Sequence, residues 1–396
     1  MLPTRLLMVA RAQQQPEWSS LDELKRVLHV LATSPQLVDA SVCADLTGEL
    51  ARAAQGEAFV LQLGECAERF HDATPVEVLA KAGQLHALAD DFAGISGLPV
   101  VRMGRIAGQY AKPRSSAMET LDDGTVLPVY RGDAVNAPDP TPEARRADPS
   151  RLLRAYHHAQ TTLSTLFERD LGLLGHADPR RTYVGHEALL LEFEDALVRP
   201  LPDGPGVYGS SGHFLWIGER TRQPDHQHVQ FASGIDNPVG VKVGPGATAD
   251  ELTALVRLLN PRRRPGRLSF IVRMGAAQAG RKLPALLGAL GDAAADAVWI
   301  CDPMHGNTKA NGAGQKSRAV ADILAEIEAF VAALRGHGLP PAGLMLETAH
   351  RPVTECVATP GDLALSVPLP CYESAVDPRL NPEQAQEVVE FTAGLL

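Results

Sequence analysis

From His213 to the C-terminus, short apolar runs of strand character alternate with amphipathic stretches of helix length, and each run breaks off in polar or charged residues. His213-Phe-Leu-Trp-Ile217 stops at Gly218-Glu-Arg220. Pro238-Val-Gly-Val-Lys242 stops at Gly244-Pro-Gly246, and Asp296-Ala-Val-Trp-Ile-Cys301 stops at Asp302-Pro-Met-His305. Apolar runs of this length read as strands buried on both faces, and buried strands joined by helices form parallel sheets. In parallel α/β folds ligands gather where strands exit, so the residues that close each run are the candidates for chemistry.

The same pattern begins earlier. Ala58-Phe-Val-Leu-Gln-Leu63 and Leu98-Pro-Val-Val-Arg-Met103 read as the first two strands, His213 to Ile217 as the third, and Leu268 to Arg273, Leu344 to Glu347 and Pro370 to Val376 as later ones. That makes eight strand candidates without a Gly-x-Gly-x-x-Gly turn, which favours a closed (β/α)8 TIM barrel over an open doubly wound sheet. Residues 1–55 read as an N-terminal helical extension, with a capping box at Ser20-Leu-Asp-Glu23 and a second helix over 37–54. Residues 56–396 read as a single barrel, in which 109–211 is an inserted connection between strands two and three, holding one strong helix over 150–174. Thr74-Pro-Val-Glu77, Thr248-Ala-Asp-Glu251 and Asn381-Pro-Glu-Gln384 each have the form of a helix start.

Charge narrows the partners. A formal net charge of −10 and a pI near 5.7 over 396 residues argue against nucleic acid or an anionic membrane surface, because phosphate contacts need clustered Lys and Arg. The one dense basic run, Arg262-Arg-Arg-Pro-Gly-Arg267, reads as a solvated loop after a helix end. No stretch approaches the roughly 20 apolar residues of a membrane span. Met1 to Ala12 lacks an apolar segment with a cleavage site, so a cytoplasmic location is expected. Five cysteines without framework spacing fit a reducing compartment.

Taken in order, the strand exits carry Cys66, Arg105, Glu219 with Arg220, Lys242, Arg273, His305, Glu347 and Asp377, and a barrel brings these to one mouth. Cys66, His305, Glu347 and Asp377 form a mixed S/N/O set for a divalent ion; imidazole and thiolate suit Zn, Fe or Co, and carboxylates extend the choice to Mn. The plain alternatives are a small buried cysteine and a histidine satisfied by turn backbone. Arg105, Arg220, Lys242 and Arg273 suit a multiply charged anion, or else a structural network neutralised by carboxylates such as Glu219. Past strand two, Lys112, Arg114, Ser115 and Ser116 suit a second phosphate or an ordinary loop. Asp225-His-Gln-His228 reads as a surface turn, His157 and His158 point apart on a helix, and His186-Glu187 reads as packing. A metal Lewis acid beside a cation cluster describes a metal-assisted reaction on a phosphorylated, multiply charged substrate.

The motifs around these residues closely resemble those of the type II (plant-like) 3-deoxy-D-arabino-heptulosonate 7-phosphate (DAHP) synthases. They are Leu61-Gln-Leu-Gly-Glu-Cys-Ala-Glu68, Gly104-Arg-Ile-Ala-Gly-Gln-Tyr-Ala-Lys-Pro-Arg-Ser115, His186 to Leu191, Phe214 to Arg222, Asn237 to Pro245, Arg273-Met-Gly275, Cys301 to Thr308, Leu346-Glu-Thr348 and Asp377-Pro-Arg-Leu-Asn381. The resemblance implies a cytoplasmic (β/α)8 enzyme that condenses phosphoenolpyruvate with erythrose 4-phosphate, with a divalent metal, Mn or Co, as cofactor, and a homo-oligomer, dimer or tetramer. It implies that Cys66, His305, Glu347 and Asp377 hold the metal. Arg105, Glu219, Arg220, Lys242 and Arg273 would surround phosphoenolpyruvate, with Lys242, Glu219 and His305 as the catalytic groups, and Lys112, Arg114 and Ser115 would face the aldose phosphate. The chain departs from the family at Leu63-Gly-Glu-Cys66, where members read Gly-Gly-Asp-Cys, and at Val376, where many carry Cys. Lys309 to Lys316 and His350-Arg-Pro352 also depart, which keeps a modified aldose phosphate (an amino-sugar analogue) as the alternative acceptor and a non-catalytic regulatory barrel as the alternative role. The N-terminal portion and the insertion look short beside longer members, so weak or absent feedback by aromatic amino acids is expected, as for an enzyme of secondary metabolism.

Overall fold

Eight parallel strands close into a barrel in the computed structural model, which describes residues 12–121, 123–174, 181–365 and 369–396. The strands are β1 (Phe59–Gly64), β2 (Val100–Arg105), β3 (Thr182–Glu187), β4 (Phe214–Ile217), β5 (Val239–Val243), β6 (Leu268–Val272), β7 (Val298–Cys301) and β8 (Gly343–Glu347). Each pairs with its neighbours in sequence order and β1 closes onto β8, so that Gly64 lies opposite both Arg105 and Glu347. The expected (β/α)8 TIM barrel is therefore the fold, with two strands reassigned.

The third strand is Thr182–Glu187 and not His213 to Ile217, which is the fourth. Its sequence hides it, because His186 faces outward onto Glu194 while Glu187 closes the run as a charge, leaving too few apolar residues to read as a buried run. Pro370 to Val376 forms no strand; it is an irregular loop that carries Asp377 beyond the exit of β8. The connection inserted between the second and third strands accordingly ends before Thr182 and not at Ser211. It holds a short hairpin, Met118–Thr120 with Val126–Pro128, and the 25-residue helix Ser150–Leu174.

Helices α1 (Leu21–Thr33) and α2 (Ala40–Ala54) precede the barrel. Leu46, Leu50 and Ala53 of α2 join Val60, Met103, Phe214, Ile271, Ile300 and Met345 in one buried cluster, so α2 plugs the end where the strands begin. Helices α3 (Pro75–Ser96), α4 (Ser150–Leu174), α5 (Leu191–Ala196), α6 (Gln227–Ser233), α7 (Ala249–Leu259), α8 (Ala276–Leu290) and α9 (Val320–Gly336) follow in order. A four-residue helix, α10 (Pro360–Leu363), precedes the last, α11 (Pro382–Gly394). The caps form as their residues dictate: Thr74 accepts from Glu77 N behind Pro75, and Thr248 with Glu251 and Asn381 with Gln384 make reciprocal capping boxes. A second core joins α1, α4 and α5 through Leu28, Leu31, Leu152, Tyr156 and Phe193. Met1 to Arg11, on which most of the leader reading falls, lie outside the described residues. Among the described residues no helix is long and apolar enough to cross a membrane.

Candidate active site

Side chains on a strand alternate, and this phase builds the site. Val101 and Met103 of β2, Phe214 and Trp216 of β4, Val298 and Ile300 of β7 and Met345 of β8 face the barrel interior. Two residues on, in the same phase, stand Arg105, Asp302 and Glu347, and Lys242 and Glu187 close the same layer from β5 and β3. The barrel is thus apolar below and charged above. Trp216 is the floor between the two: the Arg105 guanidinium lies 5.4 Å and Lys242 Nζ 5.8 Å from its ring centroid.

Four ligand-type groups meet on one side of this layer. Cys66 Sγ, a ring nitrogen of His305 and one oxygen each of Glu347 and Asp377 all lie within 4.8 Å of one another. Cys66 Sγ donates to Asp377 Oδ2 at 3.1 Å, and His305 Nε2 is 3.0 Å from Glu347 Oε1. His305 Nδ1 rests on Asp302 Oδ2 at 2.7 Å, which fixes the ring and leaves Nε2 for the cluster, the arrangement usual for a metal-binding histidine. Neither Glu347 oxygen has a hydrogen-bond partner of proper geometry. Sulfur, nitrogen and two oxygens at this spacing fit a divalent ion of the Mn, Co, Zn or Fe group.

Cations surround the cluster. Lys112 Nζ contacts Cys66 Sγ and donates to Asp377 Oδ2 at 2.7 Å; Arg105 Nη1 is 3.2 Å from Glu347 Oε1, and Arg318 Nη2 is 2.8 Å from Glu347 Oε2. Burial would raise the Glu347 carboxyl, yet His305, Arg318, Lys112 and Arg105 together hold it well below the usual range. Asp377 is likewise held low against burial, chiefly by Lys112. Burial pushes the Cys66 thiol well up, with Asp377 and Glu347 adding to it, so thiolate formation here depends on a cation.

The second group centres on Asp302, which is fully buried and contacts Lys242 Nζ as well as His305. Burial draws Lys242 down to about 8 while Asp302 opposes it. Arg273, after β6, donates from Nη2 to His305 O at 2.7 Å and so ties the anion side to the metal side.

Not all the expected residues converge. Arg220 is exposed on the turn after β4, and Glu219 gives its carboxylate to Arg222 (Nε at 3.1 Å) and Gly244 N (2.7 Å). Arg114 is half-buried, 3.9 Å from Glu119, and Ser115 is exposed. Lys112, expected towards the aldose phosphate, lies among the metal-type donors instead.

Several participants were not evident from sequence. The sequence pairs Glu187 with His186 as packing residues, whereas only His186 packs, on Glu194 at 2.9 Å. Glu187 Oε1 is buried without a hydrogen-bond partner, and a Cβ at Gly218 would stand 2.1 Å from it, so glycine there leaves the carboxyl its room. Burial raises Glu187, opposed by Lys112, Arg105, Lys242 and His305, which places it facing that cation set. Asp302 stands in the sequence only as a strand stop, and Arg318, just before α9, carries no motif that marks it. Glu68 folds the β2 exit by accepting from the N–H groups of Ala107, Gly108 and Gln109 at 3.0, 3.0 and 2.8 Å, with Ala107 at φ +68°. The Glu-Cys-Ala-Glu spacing was the available signal for it.

Outside the mouth, His228 is buried on α6 and bonded to Leu189 O at 3.0 Å, so only Asp225 and His226 belong to a surface turn. His158 stacks on Phe70 while His157 meets Tyr156, pointing apart as expected. Arg267 departs from the solvated reading of its run, being buried and donating to Ala232 O and Ile235 O.

Comparison with known proteins agrees with this geometry. The chain is 39% identical to a phospho-2-dehydro-3-deoxyheptonate aldolase of Streptomyces coelicolor, covering 96% of this chain and 94% of that one. It is 41% identical to a probable phospho-2-dehydro-3-deoxyheptonate aldolase of Pseudomonas fluorescens, with 94% and 92% covered. A relative of the same name in Neurospora crassa is 34% identical, with 96% and 91% covered. The profile of the class-II DAHP synthetase family matches residues 5–172 and 172–393, and with the barrel, the donor set and these relatives in agreement, the chain belongs to that family.

Proposed function

We propose that the barrel mouth condenses phosphoenolpyruvate with erythrose 4-phosphate and water, giving DAHP and inorganic phosphate, the first step of the shikimate pathway. The observation that carries this reading is the abutment of two unlike clusters: four metal-type donors within 4.8 Å, and the buried cations over Trp216, joined through Glu347 and Asp302. A phosphoenol carboxylate needs the second, and activation of an aldehyde oxygen needs the first.

Cys66, His305, Glu347 and Asp377 would hold the ion, which we assign as Mn or Co. When bound it supplies Lewis acidity at the aldehyde oxygen of the aldose phosphate. Arg105, Lys242 and Arg273 bind the carboxylate and phosphate of phosphoenolpyruvate, with Arg220 at the rim and Glu219 fixing the turn beside it. Arg114 and Ser115, nearer the surface, serve the aldose phosphate, while Lys112 neutralises the donor set through Cys66 and Asp377. C3 of the enol forms the new bond to the aldehyde carbon, water adds at C2, and the bond from C2 to the phosphate ester oxygen breaks; one water proton passes by way of Glu187 and solvent to the former aldehyde oxygen, which becomes a hydroxyl, and the other leaves with phosphate as the C2 carbonyl forms. Glu187 takes the proton from that water; burial that raises its carboxyl makes it a better base than an exposed glutamate.

Purified protein with phosphoenolpyruvate, erythrose 4-phosphate and Mn should lose enol absorbance and release one phosphate per enol consumed. Bound Mn with no turnover on erythrose 4-phosphate or any other aldose phosphate sinks the reading. Turnover confined to an amino-sugar phosphate would move the assignment to a modified acceptor.

A further inference from the structure

We propose that Glu326, on α9 in the outer layer of the barrel, is a positioning residue that ties the exits of β6 and β7 together and thereby sets Arg273 and His305 relative to one another. Its carboxylate is fully buried, and both oxygens are engaged. Oε1 accepts from Met274 N at 2.7 Å and Gly275 N at 2.8 Å, the two residues after Arg273. Oε2 accepts from Asn307 Nδ2 at 2.8 Å, two residues after His305. Asn307 completes the tie from the other side: its Oδ1 accepts from Ala276 N at 3.0 Å and its Nδ2 also donates to Pro303 O at 2.8 Å.

The two loops are in backbone contact. Gly275 has φ +81°, and a Cβ there would lie 2.7 Å from Gly306 O, while a Cβ on Gly306 would lie 2.2 Å from Gly275 N. Such an approach turns peptide N–H groups towards the helix layer, where an unpaired donor is costly; a carboxylate placed among them offsets that cost. On the pocket side the same loops meet again through Arg273 Nη2 and His305 O at 2.7 Å. One loop presents a guanidinium for an anion and the other an imidazole for a metal. A shift in either tie therefore moves both, and supporting contacts of this kind commonly alter metal affinity by roughly 10–100-fold.

The inference rests on the proposed condensation site, and wild-type protein separates the two failures. If Mn(II) and phosphoenolpyruvate do not bind the wild type, the condensation reading fails. If they do, Glu326→Gln and Asn307→Ala are titrated with Mn(II) by calorimetry and assayed for KM and kcat. Glutamine keeps the volume but turns an amide towards the Asn307 amide, and alanine leaves Glu326 its two backbone donors. Each variant should weaken Mn(II) binding and raise KM for phosphoenolpyruvate together, by about ten-fold or more, with a smaller change in kcat. The double variant should be no worse than the weaker single, because both break one tie. Wild-type Mn(II) affinity and KM in folded Asn307→Ala, or additive losses in the double variant, would overturn the proposal; should Glu326→Gln not fold, Asn307→Ala decides alone.

Discussion

Lys242 and His305 share a single carboxylate oxygen. Oδ2 of Asp302 contacts Lys242 Nζ and lies 2.7 Å from His305 Nδ1, so the cation expected on the phosphoenolpyruvate side and the imidazole expected on the metal side answer to one buried anion. Burial would raise that carboxyl, and His305 and Lys242 instead hold it well below the usual range. Asp302→Asn keeps the shape but removes the charge. We expect Mn(II) affinity to fall by roughly 10–100-fold and KM for phosphoenolpyruvate to rise in the same variant. A variant that loses only one of the two in calorimetry and initial-rate assays would separate the roles this oxygen joins.

Lys242 gives the pH dependence its sign. Burial lowers it to about 8, Asp302 raises it and Arg105 lowers it further. Below that pH the ammonium is available to a phosphate or carboxylate; as pH rises through about 8 it is lost. The ratio kcat/KM for phosphoenolpyruvate should therefore decline on the alkaline side with an inflection near pH 8, while kcat holds to higher pH because the bound anion stabilises the ammonium. In Asp302→Asn the raising partner is gone, so the inflection should move to lower pH. Movement to higher pH in that variant would contradict the assignment of the limb to Lys242.

How much of this was legible in the sequence depends on which face a residue occupies. Cys66, His305 and Glu347 could be found because each follows a continuous apolar run, and the break in the run marks the exit. Glu187 could not, since the outer face of β3 puts His186 on Glu194, itself held by Ser211, and so mixes polar residues into the run. The sequence pattern places Asp377 at the end of a strand, yet it reaches the donor set from an irregular loop held by Ser374, whose Oγ donates to Asp377 O at 2.6 Å. Arg318 has no local signal at all, because its burial comes from Glu347, Thr308 and Pro378, which lie far from it in the sequence or across the mouth.

Cys66→Ser tests the donor set against a control on the same molecule. Serine keeps a small polar group but is a far weaker ligand for a divalent ion of this type, so metal content and turnover should be lost together, by two orders of magnitude or more on the order of a lost first ligand. Cys371 is exposed and stands outside the cluster, so Cys371→Ser should retain both. Metal analysis after dialysis and the enol assay read the pair. Retained metal in Cys66→Ser would remove the thiol from the site.

Regulation is expected to be slight. The Streptomyces coelicolor relative aligns over 428 positions, more than the 396 residues of this chain, so it carries residues that have no counterpart here. A chain without those residues is expected to lack elements through which an aromatic amino acid would act on the site. Trp, Phe or Tyr at micromolar concentration, singly or mixed, should leave the initial rate unchanged, and inhibition at that level would contradict the expectation.

Glu187→Gln isolates the proton transfer from the binding. The amide fits the space that Gly218 leaves and keeps a polar group beside Arg105 and Lys242, but it cannot take a proton from water. Removing the negative charge also removes a competitor for the surrounding cations, so an anionic substrate should bind as well as before or better. We therefore expect kcat to fall by roughly 10²–10⁴-fold with KM for phosphoenolpyruvate unchanged or lowered, the pattern of a group that acts in the transition state alone. A raised KM with an unchanged kcat would instead make Glu187 a spacer that holds the cations apart, and the base would have to be sought elsewhere in the mouth.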